Sequence, residues 1–156
     1  MKKVIDKALG SVLVFLMAVM VVAVLWQIFS RYVIQSPSTF TDELSRYMLV
    51  WIGLLGAAYA SGQRQHLSIN ILPPRLNEKN RIRLRIAQNI IIMVFVALAL
   101  IIGGSRLVFI TYYLDQHSPA LNLSLAAVYI IMPISGILII TYLILELLNP
   151  ESLKND

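Results

Sequence analysis

"FTDELSRYMLVWIGLLGAAYASGQRQH" occupies residues 40–66 and places an acidic pair and an arginine at the head of an apolar run. That run, at about 44–63, has roughly the 20 residues that a helix needs to cross a bilayer. Asp42 and Glu43 fall in the first turn of the predicted helix, where carboxylates interact favourably with the helix dipole. Arg46 follows them by four and three residues, so either carboxylate can reach the guanidinium on one helix face.

The composition indicates that the protein is embedded in a lipid bilayer. Of the 156 residues, 58% are hydrophobic and 13% are charged, and the mean hydropathy is +0.77, whereas a soluble domain is about half apolar and about a quarter charged. The absence of cysteine excludes disulfides, thiolate metal sites and cysteine nucleophiles. The net charge of +5 sits in loops between apolar runs, so it indicates membrane topology and not binding to nucleic acid.

Four apolar stretches predict an all-α integral membrane protein with four transmembrane helices. They lie at about 8–33, 44–63, 86–114 and 124–148 of a single domain that covers residues 1–156. Each is long enough to cross about 30 Å of hydrocarbon. Pro37 ends the first helix, Ser38 or Thr39 caps the second, and a kink is predicted in the fourth at Pro133 and Gly136.

The distribution of charge orients these helices. With an even number of spans, both termini share one side with the middle loop, and that side carries ten of the thirteen basic residues. The opposite side has three arginines, balanced by Asp42, Glu43 and Asp115. Because positively charged loops are retained in the cytoplasm, the N- and C-termini are predicted to be cytoplasmic.

The middle loop predicts an amphipathic segment in the membrane interface. It reads "QRQHLSINILPPRLNEKNRIRLR" over residues 63–85. Ile69 and Ile71 alternate with polar residues, so one face can meet lipid while the basic residues meet phosphate. The residues expected at the lipid headgroups are Arg64, His66, Arg75, Arg81, Arg83 and Arg85.

Three arginines come to one level near the acidic pair. Arg31 ends the first helix, Arg46 is near the start of the second, and Arg106 lies about 30 Å along the third at about 1.5 Å per residue. Together with Asp42 and Glu43 they form a predicted charge cluster. Three interpretations are open: the cluster locks the helices together near the headgroups, it continues into a partner protein, or, least favoured, it binds substrate or protons.

The depth of the cluster argues against a transport site within this chain. Transporters bind ions and substrate near the bilayer midplane, with discontinuous helices and polar groups. The midplane stretches at 53–56 and 97–103 contain no carboxylate. His66 and His117 lie in loops, whereas a membrane haem protein needs histidines within its helices. No catalytic residue, metal site or cofactor is therefore predicted in this chain.

Small residues three and four positions apart predict close helix packing, either within the four-helix bundle, which is favoured, or against another protein. They are Gly53, Gly56, Ala57 and Ala60 in the second span and Gly103 and Gly104 in the third. Trp51, eight residues past Glu43 and on nearly the same face, is predicted to pack on a partner helix.

Three segments together resemble a known family. "TDELSRYMLVWIGLLGAAYA" (41–60) followed by "RQHLSINIL" (64–72) resembles the small membrane subunit of tripartite ATP-independent periplasmic (TRAP) transporters, the DctQ/SiaQ-like family. "SPALNLSLAAVYIIMPISG" (118–136) is similar to that family's last outer loop and fourth span. The matching positions are Glu43, Arg46, Trp51, Gly56 and His66, and the resemblance implies that their role is interfacial and structural.

The resemblance implies a non-catalytic scaffold subunit of a sodium-coupled importer of organic acids, of the sialic acid or C4-dicarboxylate type, in the bacterial inner membrane. The implied partners are a large transmembrane subunit, which binds sodium and substrate, and a periplasmic substrate-binding protein. Phospholipid is the further partner expected from the basic loop.

Two other functions remain as alternatives. An autonomous four-helix exporter predicts a carboxylate in the first span, which residues 8–33 lack. A membrane anchor of a respiratory complex predicts histidines within the spans, and neither histidine lies there.

The middle loop generates a first prediction. A peptide of residues 64–85 should bind vesicles of anionic phospholipid more tightly than neutral vesicles, because each basic residue near an anionic surface contributes about 1 kcal/mol. Co-sedimentation with the two kinds of vesicle measures the difference. A control peptide with its arginines replaced by glutamine should show no preference, and equal affinity of the native peptide for both vesicles would contradict the headgroup assignment.

Overall fold

The computed structural model describes residues 2–63 and 78–148, and the secondary-structure elements within these ranges are helices. In chain order they are α1 (Lys2–Tyr32), α2 (Thr39–Gly62), α3 (Glu78–Val96), a π-helical segment (Ala97–Gly103), α4 (Gly104–Tyr113), α5 (Leu125–Tyr129) and α6 (Ile131–Leu147). α3, the π-helical segment and α4 form one continuous third helix, since the backbone stays helical at both junctions. α5 and α6 form a fourth helix that is interrupted at Ile130. The all-α prediction is confirmed for this part of the chain.

Three of the four predicted spans are confirmed by length and composition. The helical stretches that are long and apolar enough to cross a membrane are Val4–Tyr32, Arg83–Tyr113 and Leu125–Leu147. The second predicted span coincides with α2, a helix of 24 residues. Its first two turns carry Asp42, Glu43 and Arg46, so α2 is less apolar than the other three helices.

The helices extend beyond the apolar stretches that predicted them. α1 begins at Lys2 and α3 at Glu78, because charged residues continue a helix past the hydrocarbon without loss of backbone hydrogen bonds. α2 begins at Thr39 with Ser38 as its N-cap, and the Ser38 hydroxyl accepts a hydrogen bond from the N–H of Thr41 at 3.4 Å. Of the two predicted caps, Ser38 is therefore the correct one.

The helices stand in a row whose order differs from the order along the chain. α1 packs against α2, α2 against α6, and α6 against α3 and the π-helical segment. The order in space is therefore first, second, fourth and third helix. One apolar cluster comprises Leu9, Leu16, Leu55, Ile131 and Tyr142, and a second comprises Ala58, Val96, Ile139 and Leu143.

A row leaves its two end helices largely uncovered. We compare the share of residues buried within the chain in the most apolar stretch of each helix. That share is 17% in the first helix and 11% in the third, but 39% in the fourth. The exposed residues are mostly large and apolar, and in water such a surface would associate or aggregate. In a bilayer the same surface is covered by lipid chains or by another membrane protein.

Close helix contacts occur at fewer glycines than the small-residue pattern predicted. A Cβ at Gly104 would lie 2.8 Å from the Cβ of Met132, so the third and fourth helices touch there. Gly53 and Gly56 face open space, and the nearest atom to a Cβ at Gly103 belongs to Leu98 of its own helix. Among the described residues, the predicted close contact with another helix is thus seen at Gly104 and is absent at the other three glycines.

The remaining close contacts involve small residues that the pattern did not single out. Gly136 packs against Leu100 and Ile101, and Gly62 packs against the ring of Tyr142. Ala58 is fully buried, whereas Ala57 and Ala60, which were predicted to pack, are half-buried.

Part of the predicted headgroup surface lies outside the described residues. Arg64, His66, Arg75 and the amphipathic segment fall between residues 63 and 78, and the side chain of Arg81 is also outside the described part. Arg83 is exposed and Arg85 is half-buried near the start of α3. The headgroup assignment therefore stays a prediction.

The glycine contacts give a matched pair of variants. Gly104→Ala should lower the free energy of unfolding, because its methyl group would meet the Met132 Cβ at 2.8 Å and overpacking costs about 1–3 kcal/mol. Gly53→Ala should leave stability unchanged or raise it, since no atom lies within 4 Å and alanine is the better helix former. Unfolding of both variants in mild detergent measures the difference. Equal stability of the two would show that the contact at Gly104 does not hold the helices together.

Candidate functional site

Polar contacts concentrate at one end of the row, where residues 33–38 and 114–124 connect the helices; we call it the acidic-pair end. Glu43 of α2 is the central side chain there. Its Oε2 accepts hydrogen bonds from the backbone N–H groups of Ala120 at 2.9 Å and Leu121 at 3.0 Å. Its Oε1 accepts a hydrogen bond from the Tyr47 hydroxyl at 2.9 Å. Glu43 thus joins the second helix to the connection between the third and fourth.

That connection is a compact loop closed by its own backbone. The N–H of Ser118 donates to the carbonyl of Leu123 at 2.8 Å, and the N–H of Leu125 donates to Gln116 at 2.9 Å. Asp115 and Asn122 adopt left-handed backbone conformations, which these residue types tolerate better than most. The loop therefore presents two adjacent N–H groups, at Ala120 and Leu121, to the Glu43 carboxylate.

The surroundings of Glu43 favour its ionised form. Hydrogen bonding with Ser118 lowers the pKa of the Glu43 carboxyl most strongly, desolvation opposes this, and the donors on Tyr47, Ala120 and Leu121 lower it further. The net result is a pKa below the ordinary value for glutamate. Hydrogen bonds to a charged acceptor are the stronger kind, so this contact depends on the carboxylate staying deprotonated.

Asp42 joins the first two helices. Its Oδ1 accepts a hydrogen bond from the Gln27 side-chain amide of α1 at 2.8 Å. Its Oδ2 pairs with the Arg46 guanidinium one turn further along α2. The Arg46 side chain is 75% exposed, and exposed ion pairs contribute little to stability. The hydrogen bond between Gln27 and Asp42 joins α1 to α2 at this end, in addition to their apolar packing.

The structure brings together only part of the predicted charge cluster. Asp42 pairs with Arg46, while Glu43 bonds the loop instead of an arginine. Arg31 and Arg106 are exposed, and within the described ranges neither has a hydrogen bond or an ion pair. They lie on the first and third helices, which are the two ends of the row, so the distance across the row keeps them apart.

Trp51 connects the second helix to the interruption of the fourth. Its indole N–H donates to the backbone carbonyl of Val128 at 3.0 Å. Val128 lies in α5, just before the break at Ile130, and Pro133 follows without an N–H to donate to the turn before it. A kink was predicted at Pro133 and Gly136; the helix is interrupted three residues before that proline. Trp51 supplies a donor to a carbonyl at this irregular point.

A second polar contact, which the sequence analysis did not find, lies near the chain termini. The Tyr142 hydroxyl of α6 donates to Asp6 of α1 at 2.6 Å. Gly62 of α2 lies against the Tyr142 ring, so the first, second and fourth helices meet at this point. The only sequence signal was a single tyrosine in the strongly apolar helix α6. Tyr142 has no regular sequence spacing to Asp6 that would predict the contact.

These contacts are suited to holding helices together. Among residues 2–63 and 78–148 there is no group of three His, Asp or Glu side chains that could hold a metal ion. The long-range polar contacts of Asp42, Glu43 and Trp51 each join two segments of this chain. The fold and this site define a multi-pass helical membrane protein whose polar side chains join its own helices.

Comparison with known proteins identifies the family. The model of the DctQ component of tripartite ATP-independent periplasmic transporters matches residues 8–151. A TRAP transporter small permease protein of Haemophilus influenzae is 30% identical over 93% of this chain and 88% of its own length. The sialic acid TRAP transporter small permease protein SiaQ of Vibrio cholerae is 28% identical over 66% of this chain and 60% of its own length.

A longer relative carries a similar segment. The sialic acid TRAP transporter permease protein SiaT of Haemophilus influenzae is 36% identical over 35% of this chain, a stretch that makes up 9% of that protein. The chain belongs to the DctQ component family of TRAP transporters and is a multi-pass protein of the bacterial inner membrane. The resemblance stated from the sequence is confirmed.

The lowered pKa of Glu43 gives a pH-dependent prediction. Its contribution to stability is complete above the ordinary glutamate pKa and is lost as the pH falls through the lowered value. Glu43→Gln should therefore lower the melting temperature at neutral pH and flatten its decrease on acidification, because an amide oxygen is a weaker acceptor and does not titrate. Thermal unfolding in detergent across that pH range measures both effects.

The matched control for Glu43 is Asp115→Asn. Asp115 is a carboxylate of the same loop whose side chain is 91% exposed. Its removal should change neither the melting temperature nor the pH profile by a comparable amount. Identical profiles for Glu43→Gln and the unmodified protein would contradict the role assigned to the Glu43 carboxylate.

Proposed function

We propose that this chain is a non-catalytic scaffold subunit of a sodium-coupled TRAP importer of organic acids. The observation that carries the proposal is that polar side chains at the acidic-pair end form hydrogen bonds within this chain. Gln27, Asp42, Glu43 and Trp51 each bond another segment of this chain, so they hold helices and a loop in place. Family membership supports the larger assembly in the proposal, because the family is described as one component of a tripartite transporter.

The proposed topology has four spans with both termini in the cytoplasm. α2 completes the set, because 24 residues at about 1.5 Å per residue extend about 36 Å, enough to cross about 30 Å of hydrocarbon. α2 also lies between α1 and α6, both of which are apolar enough to span. The acidic-pair end is then periplasmic, and the basic middle loop contacts phospholipid on the cytoplasmic side.

The proposed partners are a large transmembrane subunit and a periplasmic substrate-binding protein. Two features support the large subunit: the end helices of the row are widely exposed, and a longer TRAP permease carries a segment similar to this chain. Sodium and substrate would bind to that subunit. The acidic-pair end, with its ordered loop, is the surface of this chain that faces a periplasmic protein.

The proposed substrate is an organic acid of the sialic acid or C4-dicarboxylate type. Two relatives carry sialic acid in their names, and this supports the first of the two classes. The cavity between α4 and the fourth helix is lined by uncharged residues, so it does not distinguish between the two classes.

Reconstitution tests the scaffold role. Proteoliposomes containing this chain alone should take up no sialic acid or C4-dicarboxylate under a sodium gradient. Addition of the cognate large subunit and substrate-binding protein should produce sodium-dependent uptake that is lost when this chain is omitted. Uptake by this chain alone, or undiminished uptake without it, would contradict the proposal.

A further inference from the structure

A lateral groove opens between the third and fourth helices near the acidic-pair end. Its volume is about 560 Å³. The residues that carry the argument are Val108, Phe109 and Tyr112 on one wall and Ala127, Ile130 and Pro133 on the other. Phe109, Tyr112 and Ile130 are exposed at its mouth, so the groove is open to whatever surrounds the helices.

The groove lies where α4 packs against α5 and the start of α6. At Gly104 they are in contact, with the Pro133 Cδ at 3.2 Å from an added Cβ. Above this contact the regular hydrogen-bond pattern of the fourth helix is interrupted near Ile130, because Pro133 has no N–H to donate, and Trp51 bonds to the α5 carbonyl at Val128. Small side chains at Ala126 and Ala127 leave the space unfilled.

Arg106 lies near this groove on α4, one residue after the lining residue Ser105. It precedes Phe109 by three residues, so the two side chains are neighbours on the α4 surface. Arg106 is exposed, and in the part of the chain that the structure describes it makes no hydrogen bond or ion pair. A guanidinium a full two turns inside the end of a membrane-spanning helix is costly unless an anionic group reaches it.

The aromatic residues beyond Arg106 mark the level of the headgroups. Tyr113 stacks on Phe109, with ring centroids 6.3 Å apart, and both Tyr112 and Tyr113 are exposed. Tyrosines concentrate where hydrocarbon meets water. A long arginine side chain that starts below this level can extend toward it while its stem stays in contact with apolar surface.

We propose that the groove and Arg106 form a binding site for one phospholipid, with an acyl chain in the groove and the phosphate on the Arg106 guanidinium. The planar guanidinium donates two parallel hydrogen bonds to phosphate oxygens, which a neutral side chain cannot do. The site is in the leaflet at the acidic-pair end and is distinct from the basic middle loop.

The dimensions of the groove favour a lipid chain over a helix of a partner protein. Its wall on α4 runs from Ser105 to Tyr112, about 10 Å along the helix. A transmembrane helix is about 10 Å across and packs along a seam of up to about 30 Å. A groove of this length accommodates part of one acyl chain.

Native mass spectrometry of the full-length chain, purified in mild detergent and stripped of lipid, tests the site. The probes are dioleoylphosphatidylglycerol and dioleoylglycerol, which share acyl chains and differ in the phosphate. The unmodified chain should retain one phosphatidylglycerol more tightly than it retains the diacylglycerol. Arg106→Gln should weaken phosphatidylglycerol binding about ten-fold, as expected for loss of charged hydrogen bonds, and Arg106→Lys should restore part of it.

Two further variants separate this site from general effects. Arg31→Gln removes another exposed arginine that has no partner among the described residues, and it should leave binding unchanged. Ala127→Trp fills the groove and should weaken binding of both probes. Elution volume and helical circular dichroism of each variant confirm that it is folded.

Three outcomes would overturn the proposal. Equal phosphatidylglycerol binding by Arg106→Gln and the unmodified chain would remove Arg106 from the site. An equal loss of phosphatidylglycerol binding in Arg31→Gln would show that binding depends on net charge and not on a site at Arg106. Unchanged lipid binding in Arg106→Gln together with loss of a co-purifying membrane protein would assign the guanidinium to that protein. Lipid binding is measured without transport, so this experiment tests the lipid site independently of the scaffold function.

Discussion

Helices surrounded by lipid gain little from burying apolar side chains against each other, because the acyl chains offer the same environment. Cohesion in this protein therefore depends on close backbone approach and on hydrogen bonds between helices. Gly104 and Gly136 allow the third and fourth helices to touch. Glu43, Trp51 and Tyr142 bond segments that are distant in sequence. These few contacts determine the order of the row, whereas the apolar surface determines only that the chain enters a membrane.

The polar contacts lie toward the two ends of the helices. Asp42, Glu43 and their partners are at the acidic-pair end, and Asp6 and Tyr142 are near the chain termini. Polar groups at the ends of membrane helices remain close to water, so the desolvation that opposes ionisation is smaller than at the midplane. This placement lets carboxylates act as acceptors without a compensating positive charge, as Glu43 does with two backbone N–H groups. It also leaves the middle of the row to apolar packing.

The row architecture fits a protein that works against a larger partner. A closed bundle would bury one face of every helix, but here the first and third helices remain mostly uncovered within the chain. Gly53 and Gly56 face open space on the second helix, although their spacing predicted close packing. Arg31 and Arg106 likewise find no partner among the described residues. The family is one component of a tripartite transporter, and surfaces of this kind are expected in a component.

The sequence alone determined the membrane class, three confirmed spans and the family, because apolar run length and local motifs are properties of neighbouring residues. It also identified Ser38 as one of two possible caps and Asp42 as one of two carboxylates within reach of Arg46, since both depend on separations of three or four residues. Only the tertiary structure decided the partner of Glu43, which lies 77 and 78 residues away, and the bond between Asp6 and Tyr142, 136 residues apart. Charge counting suggested arginine for Glu43 because it cannot detect backbone N–H groups, which every non-proline residue has and which only a particular loop conformation brings together.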